Sequence, residues 1–386
     1  MRAVCLLALL VAACASSDGR AVDAGPGAAD GATVDGRREP DAGVAAACPP
    51  GQVATSIDTA GAITCAAVEG EAASAVRARC SVYLGQRDSC TGCADPPTKW
   101  SASGPSACTP GVGAGNTCVT ATLDDPAAPV ELATLDLDGN VNGDDKLFTT
   151  LHCVRAPRAP LPAPCRPGWA ITGRAGTAWM CAPLAEAVVG YVGSQCAVYL
   201  GWQDSCDGCT TPPTKWGHAN DAGCASGAGA NGTCTAATLA GETVNLFGLN
   251  TGGDVDGNDK LHVGLACAAP STAPTSSRTQ CPDGQFVTGT QADGSFDCAD
   301  PAAAAAAYVD THCALFFGWR DSCDACTQGP AKWGGTGPSS CALGVGADDT
   351  CTTMTLGGVS LPMFGLNTDG DVNGDDTLYL GLRCTP

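Results

Sequence analysis

Short runs of alternating apolar and polar residues recur along the chain from residue 48 onward, separated by clusters of Gly, Asn and Asp. Alternation with a period of two is typical of β-strands that bury one face, and such clusters are typical of turns. The clearest runs are Ala314–Trp319, Cys351–Leu356, Val359–Phe364 and Leu378–Arg383, with counterparts at Val198–Trp202, Thr243–Phe247 and Leu261–Leu265. The pattern predicts an all-β fold whose short antiparallel strands form small sandwiches or barrels.

The same order of segments occurs three times, in repeats that we name unit 1, unit 2 and unit 3, beginning at Cys48, Cys165 and Cys281. Each unit opens with two β-type runs around a Gly-containing turn, bounded by two cysteines that we expect to close a β-hairpin. An Ala-rich connector follows, and then a module of six cysteines spaced C-x9-C-x2-C-x14-C-x9-C before the last one. The repetition predicts tandem disulfide-rich units.

The repeats and the composition between them give a predicted domain layout. It comprises a signal peptide at 1–13, a lipidated disordered tether at 14–47, hairpins with connectors at 48–79, 165–195 and 281–312, six-cysteine modules at 80–153, 196–267 and 313–386, and linkers at 154–164 and 268–280. The prolines in both linkers predict extended and fairly stiff connections.

Cysteine usage points to an oxidising compartment. Of the 26 cysteines, 24 belong to the three units of eight, and the other two are Cys5 and Cys14 near the N-terminus. Small modules with few aromatic residues need disulfides to supplement a thin core. We predict hairpin pairs at Cys48–Cys65, Cys165–Cys181 and Cys281–Cys298. Because domain termini often lie close together, we also predict pairing of the first and last module cysteines, Cys80–Cys153, Cys196–Cys267 and Cys313–Cys384.

The N-terminus has the form of a secretory signal, with one Arg before an apolar run too short to span a bilayer. The run ends in Val11-Ala12-Ala13-Cys14, which resembles the lipobox of bacterial lipoproteins. The resemblance implies a lipid on Cys14 and a protein anchored to the cell envelope, at the outer membrane or the cell surface. An ordinary signal cleaved near Ala13 or Ala15 is the alternative. The hairpin spacing also resembles C-P-x-G-Q hairpins of bacterial surface and tail-fibre-like proteins, which implies no functional residues.

The formal charge of −20 disfavours nucleic acids and anionic membrane surfaces as partners, because both require a positive footprint. Acidity favours solubility and the binding of cations. The simpler explanation is that the charge only keeps a secreted protein soluble.

Each unit ends with an acidic loop before its last strand, and these loops are the candidate metal sites. Oxygen donors at alternate positions, with glycines that let the backbone wrap, suit Ca²⁺. The candidate ligands are Asp136, Asp138, Asn142, Asp144 and Asp145 in unit 1, Asp254, Asp256, Asn258 and Asp259 in unit 2, and Asp369, Asp371, Asn373, Asp375 and Asp376 in unit 3.

The stretch Asp371–Asp376 resembles the first half of an EF-hand or dockerin-type calcium loop. It departs from that loop at the sixth position, where Asp376 replaces Gly, and at the twelfth, where Leu382 replaces a carboxylate. A helix-containing EF-hand is therefore not expected. The alternative is that the D-G and N-G pairs are hairpin turns without metal.

Five tryptophans beside Asp, Arg and Lys residues are candidate ligand contacts, because sugar recognition combines flat apolar faces with directed polar groups. They are Trp100, Trp202, Trp216, Trp319 and Trp333. The alternative is that Trp100, Trp216 and Trp333 are the main core residues of their modules.

Nothing in the sequence indicates catalysis. When the modules are aligned, Ala266 and Arg383 stand opposite His152, and Phe148 and Tyr379 stand opposite His262, so no histidine recurs. The repeated C-x-x-C pairs lack the βαβ setting of a redox motif. We expect a calcium-stabilised binding or adhesion protein with a glycan or a surface protein as partner. The alternative is a structural spacer that binds neither metal nor ligand.

Overall fold

Strands dominate the computed structural model, as the alternating pattern predicts, and three short helices accompany them. The structure describes residues 47–384 apart from these segments: 90–94, 113–115, 122–129, 137–140, 142–144, 156–159, 163–164, 206–212, 228–232, 240–241, 251–253, 256–258, 269–274, 278, 284, 322–327, 346–348, 357–358, 368–371 and 373–375. The predicted signal peptide, lipidated Cys14 and nearly all of the predicted tether lie outside the described residues.

Each unit contributes a hairpin, a helix and a series of strands. Unit 1 contains β1 (Gln52–Ile57), β2 (Ile63–Ala67), α1 (Val68–Arg79), β3 (Cys80–Arg87), β4 (Lys99–Ser103), β5 (Cys108–Thr109), β6 (Cys118–Ala121), β7 (Val130–Asp136) and β8 (Lys146–Cys153). The linker to unit 2 contains β9 (Leu161–Pro162).

Units 2 and 3 repeat this order. Unit 2 contains β10 (Trp169–Ala175), β11 (Ala178–Pro183), α2 (Leu184–Gln195), β12 (Cys196–Gln203), β13 (Lys215–Asn220), β14 (Gly223–Ser226), β15 (Thr233–Leu239), β16 (Glu242–Asn250) and β17 (Lys260–Cys267). The next linker and unit 3 contain β18 (Thr275–Ser277), β19 (Phe286–Thr290), β20 (Phe296–Ala299), α3 (Ala302–His312), β21 (Cys313–Arg320), β22 (Lys332–Thr336), β23 (Cys341–Val345), β24 (Thr350–Leu356), β25 (Val359–Asn367) and β26 (Thr377–Cys384).

The Ala-rich connectors are helical, which the sequence analysis did not predict. Alanine is the strongest helix former and is frequent in α1 and α3, whereas α2 contains only two Ala beside Gly190 and Gly193 and buries Val188, Val189 and Val192. The three helices contact one another. Their buried residues, such as Val76, Val188 and Val309, join the largest apolar cluster of the protein. The three N-terminal hairpins also meet, around Ala54, Ile171 and Val287.

The units exchange hairpins in a closed cycle. Three six-stranded sheets each combine four strands of one unit with a hairpin from another, in the orders β5-β4-β3-β8-β16-β15, β14-β13-β12-β17-β25-β24 and β23-β22-β21-β26-β7-β6. We name them sheet 1, sheet 2 and sheet 3 after the unit that supplies the four strands. Unit 2 thus donates to sheet 1, unit 3 to sheet 2, and unit 1 to sheet 3.

Each donated hairpin also remains attached to its own unit. A disulfide joins it to the end strand of that unit's sheet, at Cys108–Cys118, Cys224–Cys234 and Cys341–Cys351. The hairpins also contact their own β4, β13 or β22 strand. A hairpin therefore pairs edge to edge with a neighbouring sheet while it lies against its own.

The exchange changes the predicted domain organisation. The sequence analysis treated the six-cysteine modules as separate tandem domains, whereas Val44–Pro386 forms one compact body. Each described sheet has two end strands, so the barrel form of the prediction does not apply. The modules are joined because the last strand of each unit, β8, β17 or β26, pairs on one side with its own unit and on the other side with a hairpin of another unit. A single module therefore does not supply all six strands of its sheet.

All six predicted disulfides are present in the structure: Cys48–Cys65, Cys165–Cys181, Cys281–Cys298, Cys80–Cys153, Cys196–Cys267 and Cys313–Cys384. In the last three pairs the cysteines stand directly opposite each other on antiparallel strands. This density of disulfides indicates an oxidising, extracytoplasmic environment. Among the helices of the described residues, none has the length and apolar character needed to cross a membrane.

Candidate functional site

The three acidic loops meet at their midpoints through a ring of valines. Three backbone hydrogen bonds close the ring: Val141 N–H donates to Val372 O (2.7 Å), Val255 N–H to Val141 O (2.8 Å) and Val372 N–H to Val255 O (2.8 Å). The three side chains are buried at 0–1% exposure. The ring joins all three candidate calcium loops at one place, which the sequence did not predict.

The exchange of hairpins explains why the loops meet. In unit 1 the loop follows β7, which belongs to sheet 3, and precedes β8, which belongs to sheet 1. The loops of units 2 and 3 make the same transfer from sheet 1 to sheet 2 and from sheet 2 to sheet 3. Each acidic loop is therefore a crossover between two sheets rather than a turn between neighbouring strands.

The last aspartate of each loop is buried and accepts hydrogen bonds from the protein. Asp259 accepts one from Ser205 N (2.9 Å) and another from the Trp202 indole (3.1 Å). Asp145 accepts one from Ser89 N (3.0 Å). Ser89 and Ser205 have φ of 53° and 51°, a left-handed conformation that aims the backbone N–H at the carboxylate.

In unit 3 the corresponding aspartate, Asp376, accepts a hydrogen bond from the Trp319 indole (3.2 Å). The three aspartates are 0–1% exposed, and their hydrogen bonds fix the end of each acidic loop to the first strand of the same module or to the residues just after it. Their role is therefore structural. Asp145, Asp259 and Asp376 share this role.

Two of the three loops are followed by a buried lysine. Lys146 and Lys260 are both 0% exposed, and Thr377 takes the same place in unit 3. The Lys146 Nζ atom donates to the Thr233 hydroxyl (2.7 Å), and burial lowers the pKa of Lys146. At the start of the third loop, which most resembles a calcium loop in sequence, the buried Lys332 ammonium donates to Asn367 O (3.2 Å).

The other predicted metal ligands are only partly described. Asp254 is exposed, and Asp136 ends strand β7, where Thr377 is its register partner. The remaining candidates lie outside the described residues: Asp138, Asn142, Asp144, Asp256, Asn258, Asp369, Asp371, Asn373 and Asp375. Within the described part of the chain, no group of three or more His, Cys, Asp or Glu side chains is arranged to hold a metal ion.

The five predicted ligand-binding tryptophans are buried, with 5–9% exposure. Trp202 and Trp319 donate to the loop aspartates, and the Lys215 ammonium lies 5.2 Å from the centre of the Trp202 ring. Trp100, Trp216 and Trp333 pack against the rings of Tyr83, Tyr199 and Phe316 at centroid distances of 5.8–6.1 Å. These indoles form part of the protein interior.

The aromatic pair of unit 3, Phe316 and Trp333, borders a cavity. A cavity of about 260 Å³ in unit 3 is lined by Phe316, Trp333, Gly335, Arg383 and polar residues of α3 and β22. The sequence analysis missed Arg383 and Gly335 as site residues. The available signal was that units 1 and 2 carry different residues at these positions.

A larger cavity of about 430 Å³ lies between α2 and the start of the third hairpin, with Arg155, Glu186, Asp283 and Phe286 among its lining residues. Glu186 there is already paired with Arg79. The charges in its wall are of both signs, and they do not define one class of ligand.

The histidines have different surroundings, which agrees with the observation that no histidine occupies equivalent positions in the three modules. The His152 Nδ1 atom lies 2.5 Å from the Asp221 carboxylate, a contact between units 1 and 2. His262 is fully buried, neither ring nitrogen has a hydrogen-bond partner among the described residues, and burial together with nearby Lys260 lowers its pKa to about 3.

Comparison of the chain with protein-family models, with curated proteins and with solved structures gives no match.

Proposed function

We propose that this chain is a lipid-anchored binding or adhesion protein of the bacterial cell envelope, stabilised by Ca²⁺ at its acidic loops. The observation that supports the metal is the valine ring, because Val141, Val255 and Val372 are the midpoints of the three loops. The carboxylates beside them in sequence belong to loops that meet at one place. Like charges brought together repel one another unless a cation screens them.

The role of Ca²⁺ in this proposal is mainly structural. The loops connect all three sheets, so a cation that clamps them also clamps the closed cycle of exchanged hairpins. Without a carboxylate at the twelfth position, the sites are weak, with a Kd on the order of 10⁻⁴–10⁻³ M as in other extracellular modules. Calcium at 100-fold above the Kd then stabilises the fold by about 2.7 kcal/mol.

Thermal unfolding of the mature protein in calcium and in EDTA tests the metal. We expect a higher Tm in calcium, and we expect the double variant Asp371→Ala/Asp375→Ala to lose that increase while remaining folded. Asp283→Ala, an acidic residue far from the loops in sequence, is the control and should keep the increase. Equal melting curves of the wild type in calcium and EDTA would show that the loops bind no calcium.

The lipid anchor rests on the Val11–Cys14 sequence and on the oxidising environment that the disulfides indicate. Cys14→Ser should abolish the incorporation of labelled palmitate and release the protein from membranes. Several acyl chains hold a protein far more firmly than one, so the change in partitioning should be complete. Retention of both label and membrane association in the variant would refute the anchor.

A structural spacer is the second candidate function. It is favoured by the buried aspartates Asp145, Asp259 and Asp376, which organise their loops through protein hydrogen bonds. A spacer requires neither calcium nor a ligand. The melting experiment and a screen for glycan binding therefore distinguish the two candidates.

A further inference from the structure

The outer faces of the three sheets carry the same aromatic pair but differ in what lies beside it. In register, Ala102 faces Tyr83 in sheet 1, His218 faces Tyr199 in sheet 2, and Gly335 faces Phe316 in sheet 3. Two residues before the aromatic residue on the same strand, the partner on the last strand of the unit is His152 in sheet 1, Ala266 in sheet 2 and Arg383 in sheet 3. Sheet 3 alone combines a glycine with an arginine.

Sheets 1 and 2 each have an imidazole beside the aromatic residue, but at different positions: His218 corresponds to Gly335, and His152 corresponds to Arg383. The His218 ring lies 4.7 Å from the Tyr199 ring in sheet 2. In sheet 1 the His152 ring meets Tyr83 edge-on at 6.2 Å and is held by Asp221. In sheet 3 the Phe316 ring lies against Gly335, where a Cβ atom would be 3.2 Å from the ring, and both residues line the cavity of about 260 Å³.

The cavity wall in sheet 3 defines the chemistry of a ligand. The Arg383 guanidinium lies 4.7 Å over the Phe316 ring, and a guanidinium binds a carboxylate with two parallel hydrogen bonds. Trp333 and Phe316 supply the apolar wall. Asp310, Thr336 and Ser340 line the same cavity and can accept hydrogen bonds from hydroxyl groups.

We propose that this cavity binds an acidic monosaccharide, a uronic acid ring, with its carboxylate on Arg383 and its hydroxyls toward Asp310, Thr336 and Ser340. The cavity is smaller than the sites of drug-sized ligands, which suits one sugar ring at the end of a glycan. The inference deepens the proposed binding function and rests on it. It names one site in unit 3 rather than three equivalent sites.

The test measures binding of glucuronate and glucose to the mature, folded protein by isothermal titration calorimetry and ligand-observed NMR. The wild type should bind glucuronate with a Kd on the order of 1 mM and should not bind glucose saturably. Two variants copy residues that sheet 2 already has at the same positions. Arg383→Ala removes the guanidinium, and Gly335→His fills the space as His218 does.

We expect Arg383→Ala to weaken glucuronate binding at least about 10-fold, since it removes a hydrogen bond to a charged group. Gly335→His should abolish binding. Both should melt as cooperatively as the wild type, and Asp283→Ala should bind normally. Binding that both variants leave unchanged, or a wild type that binds neither sugar, overturns the proposal.

The calcium requirement is scored separately by repeating the titration in EDTA. Glucuronate binding that depends on Arg383 and Gly335 in both buffers supports the cavity even where calcium fails to raise the Tm. A calcium effect on the Tm without any glucuronate binding supports the clamp and rejects the cavity.

Discussion

Sheets 2 and 3 share one topology and differ in the hairpins that they receive. In sheet 2 the hairpin of unit 3 covers the outer face with Leu356, Leu361 and Met363, which pack with Tyr199 and Trp216. In sheet 3 the hairpin of unit 1 contributes Leu132 to the corresponding cluster of described residues. Among the described residues, the aromatic pair of sheet 2 lies beside His218, whereas the pair of sheet 3 borders the cavity of about 260 Å³.

The two hairpins also differ in how each one packs against the sheet of its own unit. In unit 3 the Phe364 ring occupies the space above Gly334, where a Cβ atom would lie 2.2 Å from the ring. In unit 1 the corresponding residues are Ala133 and Ser101, and the Ser101 hydroxyl donates to Thr134 O (2.6 Å). Unit 3 thus combines a large hairpin residue with a glycine on the sheet, and unit 1 combines a small hairpin residue with a serine. The two positions differ together between the units, while the exchange of hairpins is the same.

The largest expected effect comes from breaking the Phe364 contact. Phe364→Ala should reduce the free energy of unfolding by about 3–5 kcal/mol, because the residue is fully buried and the variant leaves a cavity. Chemical denaturation of the mature protein measures this. Leu343→Ala is the control, since its side chain is 55% exposed and the change should stay within about 0.5 kcal/mol.

The double variant Phe364→Ala/Gly334→Ser sharpens the comparison, because it copies the arrangement of unit 1. It should be more stable than Phe364→Ala alone, with a coupling energy of about 0.5–3 kcal/mol. Strict additivity of the two changes would mean that the pairs in units 1 and 3 are not alternative solutions.

The next effect concerns the disulfides that attach the donated hairpins. Replacing Cys341 and Cys351 by Ser should cost about 2–4 kcal/mol, and replacing Cys108 and Cys118 should cost a similar amount. Both bridges close loops of the same sequence separation, 10 residues. Equilibrium unfolding of the two double variants checks the prediction. A loss in one and none in the other would show that the two hairpins are not held in equivalent ways.

The last effect distinguishes the sheets by pH and develops only below about pH 6.5. In sheet 2 the pKa of His262 is lowered to about 3, whereas sheet 3 has Tyr379 at this position, whose hydroxyl donates to Gln328 O. The unfolded chain has a histidine pKa of about 6.5, so it binds a proton that the folded protein rejects. This contribution to stability is fully present above pH 6.5 and falls as the pH approaches 3, by about 1.4 kcal/mol per pH unit.

The variant His262→Phe, which copies Phe148 of unit 1, should remove this part of the acid sensitivity. Denaturation curves between pH 4 and pH 7 should show a shallower dependence than the wild type. An unchanged dependence would mean that other groups set the acid response.

The strands, the repeat and six disulfides could be predicted because their signals are local or periodic. Alternation gave the runs around Ala314–Trp319 and Leu261–Leu265, and the regular cysteine spacing gave pairs such as Cys313–Cys384. The exchange of hairpins could not be predicted, because a strand such as β25 pairs equally well with its own or a neighbouring unit by pattern alone. The choice is made by the long crossover through the acidic loop.

The candidate site was predicted only in part for a related reason. The loops were recognised by their oxygen donors, but their meeting at Val141, Val255 and Val372 depends on the exchange. The tryptophans were recognised as aromatic residues near charges, and the structure buries them at 5–9% exposure. The cavity brings together Arg383, Gly335 and residues of α3, which are distant in the sequence, so the sequence pattern alone did not predict it.

The central claim is that calcium clamps the acidic loops where the three sheets join. Crystals of the mature protein grown in calcium, with diffraction data collected at a long wavelength, would locate the metal by its anomalous scattering. The account predicts anomalous peaks within the acidic loops beside the valine ring, and their disappearance after EDTA treatment. Well-ordered loops without any anomalous peak in saturating calcium would contradict it.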